Sequence, residues 1–144
     1  MSNQLTGLFP VSFEITTGKP GAPRFTVHLL VYTPGKTVNG AGLITQTVNP
    51  PLEEATILNG DFTFMTVMPK NTHILVTLTG FPPVKGAGHG GINPINQPNT
   101  HLRMVLDENW NAGTANFSFF QNGSWHEVEN APVKQIQVQR TVAA

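Results

Sequence analysis

The stretch RFTVHLLVYT, residues 24–33, decides the fold class. Phe25, Val27, Leu29 and Val31 fall on one side, with Arg24, Thr26, His28 and Tyr32 opposite. Successive side chains of a strand point to opposite faces, so this period-2 pattern is that of a strand with one face buried. Further along the chain, THILVTLTG places Ile74, Val76 and Leu78 inward, and THLRMVLDE does the same with Leu102, Met104 and Leu106. GTANFSFF offers Ala115, Phe117 and Phe119, and VKQIQVQRTV sets Ile136 and Val138 against Gln135, Gln137 and Gln139. DFTFMTVM is apolar on both faces, which predicts a central strand buried from both sides. The polar-faced VKQIQVQRTV, near the chain end, is expected at a sheet edge, where exposed backbone invites pairing with another chain.

Turn chemistry separates these runs. TTGKPGAPR joins a first strand near residues 9 to 17 to the second, and TPGK closes the second. Asn122-Gly123 in QNGS is the strongest short hairpin signal, and Asn59-Gly60 is a weaker one. NPPLEEATI reads as one short helical turn, with proline at its start and Glu53 and Glu54 near its positive end. No stretch carries apolar residues at helical spacing over three turns. About eight short strands predict an all-β single domain over residues 1–144, an antiparallel β-sandwich with a barrel as the alternative.

Composition narrows the function classes. Charged residues are 11% of the 144, against roughly 25% in an average soluble domain. Eight basic and eight acidic residues give a formal net charge of zero. The basic residues stand singly, so no basic face exists to neutralise a phosphate backbone, and no nucleic-acid partner is expected. The absence of cysteine removes disulfides, thiolate nucleophiles and zinc–thiolate sites together. No apolar run reaches the roughly 18 to 20 residues of a spanning helix, and the first residues lack a signal-peptide pattern. The expectation is therefore no membrane insertion and a cytoplasmic protein by default, with signal-independent export as the alternative.

PVSFEI (residues 10–15), GAGLITQTVNPPL (40–52) and GDFTFMTVMPKNTHILVTLTG (60–80) together resemble a small family of bacterial proteins defined as a domain of unknown function. The resemblance spans roughly residues 8–100. It implies a bacterial source and a small stand-alone domain, and it brings no catalytic residue to assign.

Candidate sites come from the residues themselves. VKGAGHGGINPINQPN, residues 84–99, contains a GxGxxG match at Gly86, Gly88 and Gly91. Pro94 and Pro98 follow, so the helix that a dinucleotide site requires cannot form. The segment reads instead as a long loop, first as a mobile surface connection and alternatively as a recognition loop, with His89, Asn93 and Asn96 as its ligand-binding candidates. Trp110 and Trp125 stand in or beside Asn-rich polar turns. Both indoles are expected first to close the ends of the core and hydrogen-bond through Nε1. Alternatively, an exposed indole can stack on the apolar face of a sugar while amides and carboxylates take its hydroxyls, so both are also ligand candidates. His28, His73 and His101 form an alternative metal set if the fold gathers them. No serine occupies a GxSxG elbow, and Ser124 with His126 lacks an orienting third group, so no catalytic residue and no cofactor is assigned. The expected function is a non-enzymatic binding or protein-interaction module that acts through a protein partner or self-association. A lectin-like carbohydrate or small-ligand binder is the first alternative and a metal-dependent enzyme the second.

Overall fold

The computed structural model describes residues 7–47, 51–68, 71–83, 97–121 and 123–137. Eight strands follow one another: β1 (Leu8–Ile15), β2 (Arg24–Tyr32), β3 (Thr37–Gln46), β4 (Leu52–Met68), β5 (Asn71–Phe81), β6 (Thr100–Asp107), β7 (Ala112–Gln121) and β8 (Ser124–Ile136). Each pairs antiparallel with its neighbours in sequence, and β8 returns to β1 to close a barrel. The all-β expectation holds, and of its two architectures the barrel is the one formed.

Closure depends on β8. β8 pairs with β7 from Ser124 to Lys134, and its last residues, Val133 to Ile136, also pair with Ile15 to Ser12 of β1. The VKQI run is therefore the end of a longer strand that starts at Ser124, and that end is paired on both sides. A bulge at Asn130 makes this continuity possible. Its φ is 57°, a left-handed value that asparagine tolerates, and its N–H donates to Asn116 Oδ1 at 2.7 Å. Within its described residues the expected terminal edge is therefore covered, Val133 and Lys134 pairing with both β7 and β1, whereas Ser124 to Val128 pair with β7 alone.

β4 corrects three further expectations. The NPPLEEATI segment forms no helical turn over its described part: Leu52, Thr56 and Leu58 are buried, while Glu53, Ala55 and Ile57 are exposed. That alternation is satisfied only by a strand. Asn59-Gly60 is no turn either, since it pairs mid-strand with Asn39-Val38 on one side and Thr79-Leu78 on the other. At Gly60, and likewise at Gly113, a Cβ would fall on the carbonyl of the adjacent strand, Thr77 or Val105. Glycine permits the close approach that bends the sheet into a barrel. DFTFMTVM is also not buried on both sides, for Phe62 lies in the core while Thr63 and Phe64 are exposed.

Every inward residue read from the alternation between 24 and 120 is buried. Phe13, Phe25, Phe117 and Phe119 fill the interior with Ile15, Ile44, Leu58, Ile74, Leu78, Leu102, Met104 and Leu106. The lumen is thus a packed core. Outward positions are mostly polar, the reverse of a membrane-spanning barrel, which presents an apolar band to lipid. Among the described residues no helix is long and apolar enough to cross a membrane.

The two barrel ends are closed differently. At one end Trp110 lies edge-on to Phe9 and Phe62, with ring centroids 5.6 and 5.2 Å away. At the other end Asn99 is buried in a polar cluster. Its Oδ1 accepts from Thr56 Oγ1 at 2.8 Å and Thr100 Oγ1 at 3.1 Å, while its Nδ2 donates to Glu54 Oε2 and the Ala55 carbonyl, both at 3.1 Å. All the side-chain polar atoms of Asn99 are satisfied, as burial requires.

Candidate functional site

With the core filled, a ligand site must lie on the outer wall or at an end. The outward residues of β5 to β8 supply one such concavity among the described residues. Antiparallel register sets Thr79, His101, Ser118 and Glu127 side by side on four successive strands, and Thr77, Arg103 and Asn116 form the next row. Together they line an open depression of about 370 Å³ on the barrel wall. Its side chains are hydroxyl, amide, imidazole, guanidinium and carboxylate, so it offers donors and acceptors over one small surface.

Trp125 stands at the rim. It is 46% exposed, at the start of β8, where its partner on β7 is Phe120. Its indole stacks on the His101 ring, with centroids 5.1 Å apart and planes 27° from parallel. Phe120 meets it at 62° and 5.5 Å. The hairpin explains this position. Gln121 and Ser124 pair across a two-residue connection, and Gly123 has φ 83°, which matches the twist of the flanking strands.

Trp110 is placed elsewhere. It is only 4% exposed, and the β6–β7 turn turns it inward. Asp107 Oδ1 accepts the N–H groups of Asn109 at 3.1 Å and Asn111 at 2.9 Å, and Trp110 N–H donates to the Asp107 carbonyl at 3.1 Å. This turn holds Trp110 at φ 61°, a left-handed conformation costly for a bulky residue. The indole beneath the core offsets that strain. Trp110 and Trp125 therefore do not form one platform.

The remaining candidates scatter. His89, Asn93 and Asn96 lie outside the described residues. His28 is exposed on β2 and shares a 2.8 Å hydrogen bond between its Nδ1 and Ser12 Oγ, across the β1–β2 pair. His73 is half-buried on β5, with Nδ1 buried and without a hydrogen-bond partner among the described residues. His101 belongs to the depression. The three do not assemble the alternative metal set, and among the described residues no group of three His, Cys, Asp or Glu side chains converges for a metal. His126 packs its ring on Phe119 at 5.4 Å.

Sequence reading missed Thr77, Thr79, Arg103, Asn116, Ser118 and Glu127. Alternation already turns Arg103, Asn116 and Ser118 outward. What it lacks is adjacency, which only the meander order and register provide.

The sequence pattern of a family described as a domain of unknown function (DUF1842) matches residues 6–125. It covers β1 to β7 and stops at Trp125, just inside β8. No curated protein matches the chain.

Proposed function

Because the chain belongs to the DUF1842 family, whose description assigns no activity, we propose a function from its own residues. The barrel is a non-enzymatic binding module that holds a carbohydrate on the outer wall of β5 to β8. One observation carries this reading: an exposed indole, stabilised by stacking on His101, borders a depression lined by hydroxyls, an amide, a guanidinium and a carboxylate. A pyranose has an apolar C–H face and a rim of hydroxyls, and this surface complements both. The aromatic ring takes the C–H face, while Thr79, Ser118, Asn116 and Glu127 exchange hydrogen bonds with the hydroxyls.

Amide NMR titration with a mixed glycan panel tests the reading. Shifts clustered at residues 77–79, 101–103, 116–118 and 125–127, removed by Trp125→Ala, are the expected result. Shifts confined to other parts of the barrel, or none with any glycan, would reject it.

A further inference from the structure

We infer that the ligand is an acidic oligosaccharide, with a uronate carboxylate seated at Arg103 and a sugar C–H face on Trp125. The inference rests on the carbohydrate reading above and names its chemical class. Arg103 is exposed on β6, facing outward between Thr77 of β5 and Asn116 of β7. Among the described residues no carboxylate lies within ion-pair distance of it. The outward arginine of β2 differs, for Arg24 Nε sits 3.3 Å from Glu14 Oε2. A guanidinium carries five donors and no acceptor, in a planar fork that fits a carboxylate with two parallel hydrogen bonds.

The neighbours of Arg103 reinforce this preference. Asn116 already uses its carbonyl oxygen to accept the Asn130 N–H at 2.7 Å, which leaves its NH₂ as the group to offer a ligand. Thr77 adds a hydroxyl. The corner is thus rich in donors and carries one full positive charge, which suits a singly charged anion. Glu127, one row away beside Ser118, repels a second negative charge, so a singly charged carboxylate fits better than a dianionic phosphate monoester.

The indole is close to this corner as well. It leaves β8 two strands away but reaches back over the His101 ring at 5.1 Å, and His101 stands two residues from Arg103 on the same face of β6. A saccharide whose carboxylate meets Arg103 therefore has the open face of Trp125 within reach of the same or the adjoining ring, with Thr79 and Ser118 beside it.

The test compares uronate trisaccharides with their carboxyl-reduced, neutral counterparts by calorimetry on the full chain, with NMR to locate binding. The acid is expected to bind about tenfold more tightly, roughly 1.4 kcal/mol, with an advantage that shrinks as salt rises. In Arg103→Gln the ratio of the two affinities should fall to about one, and Trp125→Ala should weaken both ligands. Equal affinity for acid and neutral forms in the wild-type chain would overturn the inference and leave the carbohydrate reading standing, as would an acid preference that survives Arg103→Gln. Tighter binding of sulfated trisaccharides than of uronates would overturn the carboxylate assignment. Absence of shifts with every saccharide would overturn both readings.

Discussion

Trp110 and Trp125 share a sequence context and differ in almost everything else. One lies in DENWNAG and the other in NGSWHEV, each among asparagine, glutamate and turn residues. Trp110 closes one barrel end against Phe9 and Phe62, while Trp125 lies open on the outer wall against His101. Backbone geometry makes the difference. A left-handed residue in an Asp-anchored turn swings the first indole under the core. Strand parity after a two-residue hairpin turns the second outward. Polar neighbours in sequence therefore do not show whether an indole is exposed, because a turn can aim any one of its residues at the core.

The largest effect expected from this contrast is at the closed end. Trp110→Ala removes the ring that covers the core, and large-to-small changes of this kind cost about 3–5 kcal/mol. Relief of the left-handed strain would be small, since alanine is also disfavoured at positive φ. Urea denaturation should show a large drop in midpoint with little change in slope. A loss as small as that of a surface variant would mean that the indole does not close the barrel, and the comparison would fail.

The opposite end should respond to a smaller extent. A Cβ at Gly80 would strike Thr56 Oγ1, the hydroxyl that donates to Asn99. Gly80→Ala must displace Thr56, and Asn99→Ala strips the cluster directly, leaving Thr56, Thr100 and Glu54 without their partner. Each should cost roughly 1–3 kcal/mol, the range for leaving buried polar groups unsatisfied. Hydrogen exchange would locate the damage, because Phe120 N–H donates to the Asn99 carbonyl at 2.9 Å. Faster exchange at residue 120, with the Trp110 end unchanged, is the expected pattern. Uniform loss of protection would show that the two ends are one cooperative unit.

These ends also mark how far the sequence could be read. Alternation located Phe25 through Val31, Ile74 through Leu78 and Ala115 through Phe119 correctly, because each strand has one wet face and one dry face. Closure was not legible. A sandwich and a barrel demand the same inward pattern, and they differ in whether β8 returns to β1. Asn59-Gly60 looked like a turn because glycine serves turns and tight strand approaches equally well. Arg103 and Asn116 are 13 positions apart in sequence yet paired across β6 and β7, so no local motif could reveal the depression that they line. Asn99, the last residue of the Gly- and Pro-rich segment, gave no sign that it would be buried.

A lesser effect is expected at the Ser12–His28 pair on the β1–β2 wall. Ser12 is almost buried while His28 is exposed, so part of the hydrogen bond is already in contact with water. Ser12→Ala should cost about 0.5–1.5 kcal/mol, the net worth of an ordinary intramolecular hydrogen bond. It should leave saccharide titrations unchanged, since β1 and β2 contribute nothing to the depression. A variant that lost binding here would move the site off β5 to β8.

The smallest effect on stability is the one that most sharpens the contrast. Trp125→Ala removes an indole with nearly half its surface in water, and its contacts, His101 and Phe120, are outward residues on the same wall. Surface substitutions of this kind usually stay within about 0.5 kcal/mol, and both neighbours of the indole keep their own contact with the wall when it is removed. The denaturation midpoint should therefore barely move while glycan-induced shifts disappear. Trp125→Phe separates the two contributions, because it keeps an aromatic face for stacking and gives up the indole N–H and part of the area. Binding that is weakened in Phe and absent in Ala would identify stacking as the role of the ring. Equal loss in both variants would assign the role to the indole N–H. A large stability loss in either would mean that Trp125 serves the barrel as Trp110 does, and the two tryptophans would then differ only in position.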